Sequence, residues 1–89
     1  MIHFTLYSRS YCHLCDQMLI DLRTLLGPEQ IAVTITDVDT DPDLVAQYDE
    51  MVPVLIGHRA DGSEVRLCHY FLASEQVTTF FASELTSQR

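Results

Sequence analysis

The spacing of apolar positions changes repeatedly along the chain, and each change marks a change of element. Residues Ile2 to Tyr7 alternate apolar and polar in part, are rich in strand formers, and end at Ser8-Arg9-Ser10. This predicts a first strand running into a loop. Beyond the loop the period lengthens: Cys15, Met18, Leu19, Leu22, Leu25 and Leu26 follow the i, i+3, i+4, i+7 spacing of an amphipathic helix. Gly27-Pro28 supplies a glycine past the last turn and then a stop, so the helix begins at or just after Cys12. Ile31 to Val38 returns to a strand pattern, with Ile31, Val33 and Ile35 on one face. Strand, helix and strand in so short a stretch make a βαβ unit, with a right-handed crossover and parallel strands.

Asp41-Pro42-Asp43 places proline at a first helical position among acids that suit the positive end of a helix, and opens a short helix through Leu44, Val45 and Tyr48. Val52-Pro53-Val54-Leu55-Ile56 and Glu64-Val65-Arg66-Leu67-Cys68 flank Ala60-Asp61-Gly62-Ser63, whose Asp-Gly pair favours positive φ. They predict an antiparallel hairpin. From Ser74 onward, Val77, Phe80, Phe81 and Leu85 set out a last helix with Glu75 in its first turn. The order β, α, β, α, β, β, α predicts an α/β fold, a mixed four-stranded sheet with helices on both faces. At 89 residues the chain has room for one domain, spanning residues 1–89.

Composition narrows the partners. Five basic against thirteen acidic side chains give a formal net charge of −8, and no Lys/Arg cluster exists to meet phosphates. Nucleic acid and anionic membrane are therefore not expected as partners. The acidity serves solubility, or a preference for basic partners. The segment from Met1 to Tyr7 has no basic leader, and no run reaches the roughly 18 apolar residues of a membrane span. A cytoplasmic monomer is the expectation. Three cysteines, two of them three positions apart, suit a redox or metal site better than a secreted disulfide framework.

The chemistry concentrates at Cys12-His13-Leu14-Cys15, at the carboxyl end of strand one and the start of helix one, where open α/β sheets place their ligands. A sulfur at the helix start has free backbone N–H groups and the positive end of the dipole beside it, which lowers the pKa of Cys12 below its free value of about 8.5. Cys15, a turn further in on the apolar stripe, is expected buried and protonated. One sulfur then attacks and the other resolves the mixed disulfide. His13 beside the thiolate stabilises the reduced form and raises the potential, unless it is a loop histidine with no role. Pro53, at the head of strand three, is explained by a cis Val52-Pro53 bond that faces the cysteines and leaves the Val52 backbone free to pair with an extended substrate. A trans strand-initial proline is the alternative.

Tyr7-Ser8-Arg9-Ser10-Tyr11-Cys12-His13-Leu14-Cys15, Asp37-Val38-Asp39 and Val52-Pro53 together resemble the glutaredoxin-like branch of the thioredoxin-fold superfamily, in order and spacing over nearly the whole chain. The resemblance implies a thioredoxin-like fold and a thiol-disulfide oxidoreductase with Cys12 and Cys15 as catalytic residues and no bound cofactor. It also implies a substrate site drawn from Arg9, Tyr11, His13, Val52 and Pro53. Arg9 stands where glutaredoxins carry a basic residue for the glutathione carboxylate, which makes glutathione a candidate co-substrate. A protein or small-molecule disulfide is the implied substrate, and glutathione or a thioredoxin-type reductase the implied reductant. The chain departs from glutaredoxins in having His13-Leu14 for Pro-Tyr, Met51-Val52-Pro53 for Thr-Val-Pro, and Leu67-Cys68-His69-Tyr70-Phe71 for the Gly-Gly-x-Asp-Asp segment that holds glutathione. In this it resembles the short glutaredoxin-like proteins of unassigned substrate.

Two other classes of function compete. Cys12, Cys15, Cys68 and His69 together would make a zinc set, against which stands the adjacency of Cys68 and His69. A thioredoxin-fold adaptor without disulfide turnover is the other. Cys68 reads most simply as a small buried hydrophobe, and Tyr48, Phe80 and Phe81 as core. His3, His58 and His69 carry no decipherable role.

Overall fold

In the computed structural model, which describes residues 1–87, the first strand runs Ile2–Ser8 (β1) and lies inside the sheet rather than at its edge. Helix α1 (His13–Leu26) carries the chain back to β2 (Ile31–Asp37), which pairs parallel with β1 from Ile2↔Ile31 to Ser8↔Asp37. Short 3₁₀ turns precede and follow β2. Helix α2 (Pro42–Tyr48) leads to the hairpin of β3 (Val54–His58) and β4 (Glu64–His69), and α3 (Ser74–Ser87) follows. The sheet order is β2-β1-β3-β4, with both β1·β3 and β3·β4 antiparallel.

Period-two alternation along β1 divides its residues between two faces. Ile2, Phe4 and Leu6 are all but fully buried and join Met18, Leu22 and Leu26 of α1 and Val77, Phe80 and Phe81 of α3 in one apolar core. On the opposite face Tyr7 stacks on Tyr48 of α2 at 4.8 Å. Helices therefore cover both faces, as the order of elements requires. Local chemistry sets the ends: the Asp41 carboxylate caps α2 by accepting from the Asp43 N–H at 2.9 Å. In the hairpin, Gly62 takes a φ of +90° while Asp61 accepts from both the N–H and the hydroxyl of Ser63.

Four expectations shift. Strand three starts at Val54, two residues later than the apolar run, because Val52-Pro53 forms a cis turn ahead of it and proline offers no N–H to a ladder. It also continues through Gly57 and His58. Ile35 is half exposed, whereas Ile31 on the same face of the edge strand β2 is buried and Val33 packs against the core. On α1, Leu25 falls off the buried stripe formed by Cys15, Met18, Leu22 and Leu26 and is exposed. On α3 the buried set is Val77, Phe80, Phe81 and Glu84, which follows i, i+3, i+4, i+7 and leaves Leu85 outside. The Glu84 carboxylate is buried because it accepts the Ala60 N–H at 2.9 Å, tying α3 to the hairpin.

Candidate functional site

The carboxyl end of β1 delivers the chain to the site. Ser8 is followed by the loop Arg9-Ser10-Tyr11, with Tyr11 fully exposed at a φ of +60°, and then by Cys12 in extended backbone as the N-cap of α1. The capping acceptor is the Cys12 sulfur, which receives the Cys15 N–H at 3.1 Å, in the place usually held by a Ser or Asp oxygen. Helix geometry thus aims a backbone donor at one sulfur and brings the other beside it: Cys12 and Cys15 form a disulfide with their Cα atoms 5.2 Å apart. The two are unequal in access. Cys12 is partly exposed, while Cys15 is 3% exposed among the apolar residues of α1. His13 and Leu14 lie between them on the solvent side.

Facing the same end of the sheet is the β3 approach. The Val52-Pro53 bond is cis, and Pro53 is buried. Val52, partly buried, precedes the β3 ladder, which opens at Val54 opposite Tyr7 and His69. The Pro53 carbonyl accepts the Tyr70 N–H at 2.9 Å, and the Tyr70 hydroxyl donates to the Glu50 carbonyl. Tyr70, at a φ of +65°, and Phe71 remain exposed beyond β4. These rings occupy the stretch that departs from the glutaredoxin pattern. That departure was the available signal, with no period to predict their exposure.

Arg9 is engaged on two sides. Its Nε and Nη2 donate to the Asp39 carboxylate at 3.2 and 2.9 Å, and its Nη1 reaches Asp49 at 2.7 Å. Hydrogen bonds to Asp39 and then to Asp49 raise the guanidinium pKa further above its ordinary value. Asp37, which pairs with Ser8 across the sheet, accepts the Asp39 N–H at 2.9 Å and so fixes the carboxylate that holds Arg9. Asp49, just past α2, comes to Arg9 through tertiary folding with no local pattern to announce it.

Cys68 does not join the pair. It is half buried on β4, against the apolar core, and among the described residues no group of three or more His, Cys, Asp or Glu converges as a metal set would. Burial pushes the Cys68 thiol pKa up. Alkylation needs the thiolate, so at neutral pH Cys68 of the reduced protein is expected to react more slowly than Cys12, as followed by peptide mass mapping. A raised folded-state pKa means that the native state holds its proton where the unfolded chain has lost it. Stability contributed by this group is therefore lost as pH climbs past about 8.5 through the folded value.

Among the described residues, no helix is long and apolar enough to cross a membrane. Residues 3–82 match the family model described as the glutaredoxin-like domain (DUF836). Among curated proteins, none matches the chain significantly. Solved structures do: the protein Ne2328 of Nitrosomonas europaea is similar at 30% identity and a TM-score of 0.75, with 89% of each chain covered. A chloroplastic thioredoxin z superposes with a TM-score of 0.68 at 18% identity, covering 97% of this chain and 80% of its own. Mitochondrial thioredoxin 3 of Saccharomyces cerevisiae, in oxidised form, gives 0.61 at 16% identity, covering 96% and 77%. The last two likenesses establish a thioredoxin-like fold.

Proposed function

Because the chain belongs to the glutaredoxin-like domain family, we propose that it is a thiol-disulfide oxidoreductase in which Cys12 attacks and Cys15 resolves. The observation that carries this reading is the N–H of Cys15 aimed at the Cys12 sulfur, on a helix start that also favours negative charge there. In the reduced protein the Cys12 thiolate attacks one sulfur of a substrate disulfide, forming a mixed disulfide and releasing the first substrate thiolate. Cys15 then attacks the Cys12 sulfur, its proton passing to the released thiolate or solvent. The second substrate sulfur leaves, and the Cys12–Cys15 disulfide remains. Two electrons move from the dithiol to the substrate, and the oxidised state is the one described above.

Val52, ahead of the ladder beside the cis proline, supplies backbone for an extended substrate to pair with. The protein needs no bound cofactor. A dithiol-regenerating donor, glutathione or a thioredoxin-type reductase, closes the cycle, and a reducing compartment such as the cytoplasm suits a chain with an odd number of cysteines. The test is direct: the reduced protein is mixed with a low-molecular-weight disulfide, and thiol release is followed together with formation of the intramolecular disulfide. Failure to reduce any disulfide faster than a free thiol at equal thiolate concentration removes the proposal. Each donor in turn then separates the two routes of regeneration.

His13, at the first position of α1 next to the attacking sulfur, stabilises the reduced form when it carries charge or donates a hydrogen bond. The couple is expected above thioredoxin's potential of about −270 mV, and His13→Pro is expected to lower it. Redox titration against glutathione reads both. A potential at or below that of thioredoxin, unmoved by the substitution, shows that His13 does not tune the couple.

A further inference from the structure

Resting on the dithiol reading above, we propose that the partner oxidised or reduced at this site is a polypeptide whose cysteine is flanked by Lys or Arg, and that Asp39 and Asp49 occupy Arg9 so that anionic thiols such as glutathione are disfavoured. Glutathione carries two carboxylates and one ammonium, so a site that welcomes it needs an unoccupied cation. Here the side-on fork of Arg9, Nε with Nη2, is taken by Asp39, and Nη1 is taken by Asp49 at 2.7 Å. One guanidinium between two carboxylates leaves a formal negative charge where a glutathione site needs a positive one.

The surroundings reinforce that sign. Asp16 follows Cys15 in the first turn of α1, Asp37 pairs with Ser8, Asp41 caps α2, and Glu50 lies at the tether of Tyr70. Among the described residues Arg66 is the other arginine near this end; it lies on β4 with its guanidinium 3.9 Å from the Met51 sulfur, and the carboxylates outnumber it. With a formal net charge of −8, the whole molecule adds to the same field.

An independent observation points to the same occupant. Tyr11 and Leu14 flank Cys12 in sequence, and Tyr70 and Phe71 follow the end of β4 that pairs with Val54; all are exposed, Phe71 by 71%. Tyr70 is also held in place, by the Pro53 carbonyl on its N–H and the Glu50 carbonyl on its hydroxyl. Exposed rings at the same end of the sheet as these carboxylates, with Tyr70 tethered to the backbone of Glu50, fit the side chains of a basic segment, since a Lys or Arg stem packs on a ring face while its charge is drawn to the acidic surroundings. A tripeptide thiol of net negative charge has a single ammonium to offer these groups and two carboxylates that they repel.

The experiment takes the reduced full chain and four oxidised probes: three peptides identical except for Lys, Glu or neutral residues flanking one intramolecular disulfide, and glutathione disulfide. Second-order rates are measured at low salt and at roughly 0.5 M NaCl, where the screening length shrinks to a few ångströms. The Lys peptide is expected to react about tenfold faster than the Glu peptide at low salt, with the gap closing at high salt. The Asp39→Asn/Asp49→Asn double variant is expected to narrow the gap and raise the rate with glutathione disulfide, and Phe71→Ser to slow the Lys peptide several-fold. Equal rates for the Lys and Glu peptides at low salt overturn this inference, as does a glutathione disulfide rate above that of the Lys peptide. If the neutral peptide is reduced while charge makes no difference, only the inference falls. If no probe is reduced, the oxidoreductase reading itself has failed and takes the inference with it.

Discussion

Reduced Cys15→Ser protein mixed with a disulfide substrate is expected to accumulate one covalent adduct, heavier by one half of the substrate, while Cys12→Ser accumulates none and reduces nothing above background. The asymmetry follows from access and charge. Cys12 sits partly exposed at the start of α1 with the Cys15 N–H directed at its sulfur, which stabilises the thiolate. Cys15 is 3% exposed, on the buried stripe of α1 with Met18 and Leu22, so Cys12 is the sulfur that a substrate disulfide meets first. Without Cys15, attack proceeds but resolution stops, and the mixed disulfide persists. Without Cys12 no accessible thiolate remains. Intact mass identifies the adduct directly, and loss of turnover should be complete in both variants when thiol release is measured over many cycles. An adduct on Cys12→Ser but not on Cys15→Ser would reverse the two assignments. Cys68→Ser serves as the control: half buried and apart from the pair, it is expected to retain turnover and to change stability by about 1 kcal/mol.

Gly57→Val is expected to destabilise the fold by about 3 kcal/mol, at the upper end of what overpacking costs. A Cβ built at Gly57 would stand 2.5 Å from Phe80 Cζ and under 3 Å from both Cε atoms of the same ring. Phe80 is 7% exposed and meets Phe4 edge to face at 5.5 Å, with Phe4 fully buried at the middle of the core, while its other side borders a cavity between α3 and the hairpin into which the ring would have to move. Valine must therefore displace α3 or push Phe80 out of its place. The denaturant midpoint reports the loss, with the slope unchanged if the transition remains two-state. Shortening the ring partner in the double variant Gly57→Val/Phe80→Leu should recover part of that loss. If the double variant is less stable than the sum of the separate changes, the Phe80 ring is not the source of the crowding.

The contrast between Cys12 and Gly57 shows what a linear pattern carries. Helix start, apolar stripe and cysteine spacing are local, so Cys12-His13-Leu14-Cys15 could be placed at a strand-to-helix turn and the two sulfurs ranked by burial from periodicity alone. The same holds for the hairpin, whose Asp61-Gly62 pair carries its own turn geometry. Val52-Pro53 was legible because proline restricts its surroundings wherever it stands. Other features depend on partners distant in the chain. Gly57 is needed where it is because of a ring 23 positions later, and Glu84 is buried because of an amide 24 positions earlier. Arg9 could be named as a charge near the cysteines, but its engagement by Asp39 and Asp49 comes from α2 and β2 converging on one loop. Ile35 carried the alternation of a buried face, yet burial fades along that face from Ile31 through Val33 to Ile35, a change along the strand that the alternation does not encode.

One irregularity of the sheet bears on how the molecule behaves in company. Leu55 pairs with Cys68 and Ile56 with Arg66, so Leu67 is an extra residue on β4 and the register slips there. A bulge bends its strand and tightens the local twist. β4 is also one of the two outer strands of the sheet, where unpaired N–H and C=O groups would otherwise lie in a straight row open to a neighbouring molecule. Leu67 breaks that row, and Glu64 and Arg66 place charge along the same strand. A border that is bent and charged is a poor template for strand-by-strand accretion, so crowded copies of this chain meet there without a ready means of growing into fibrils.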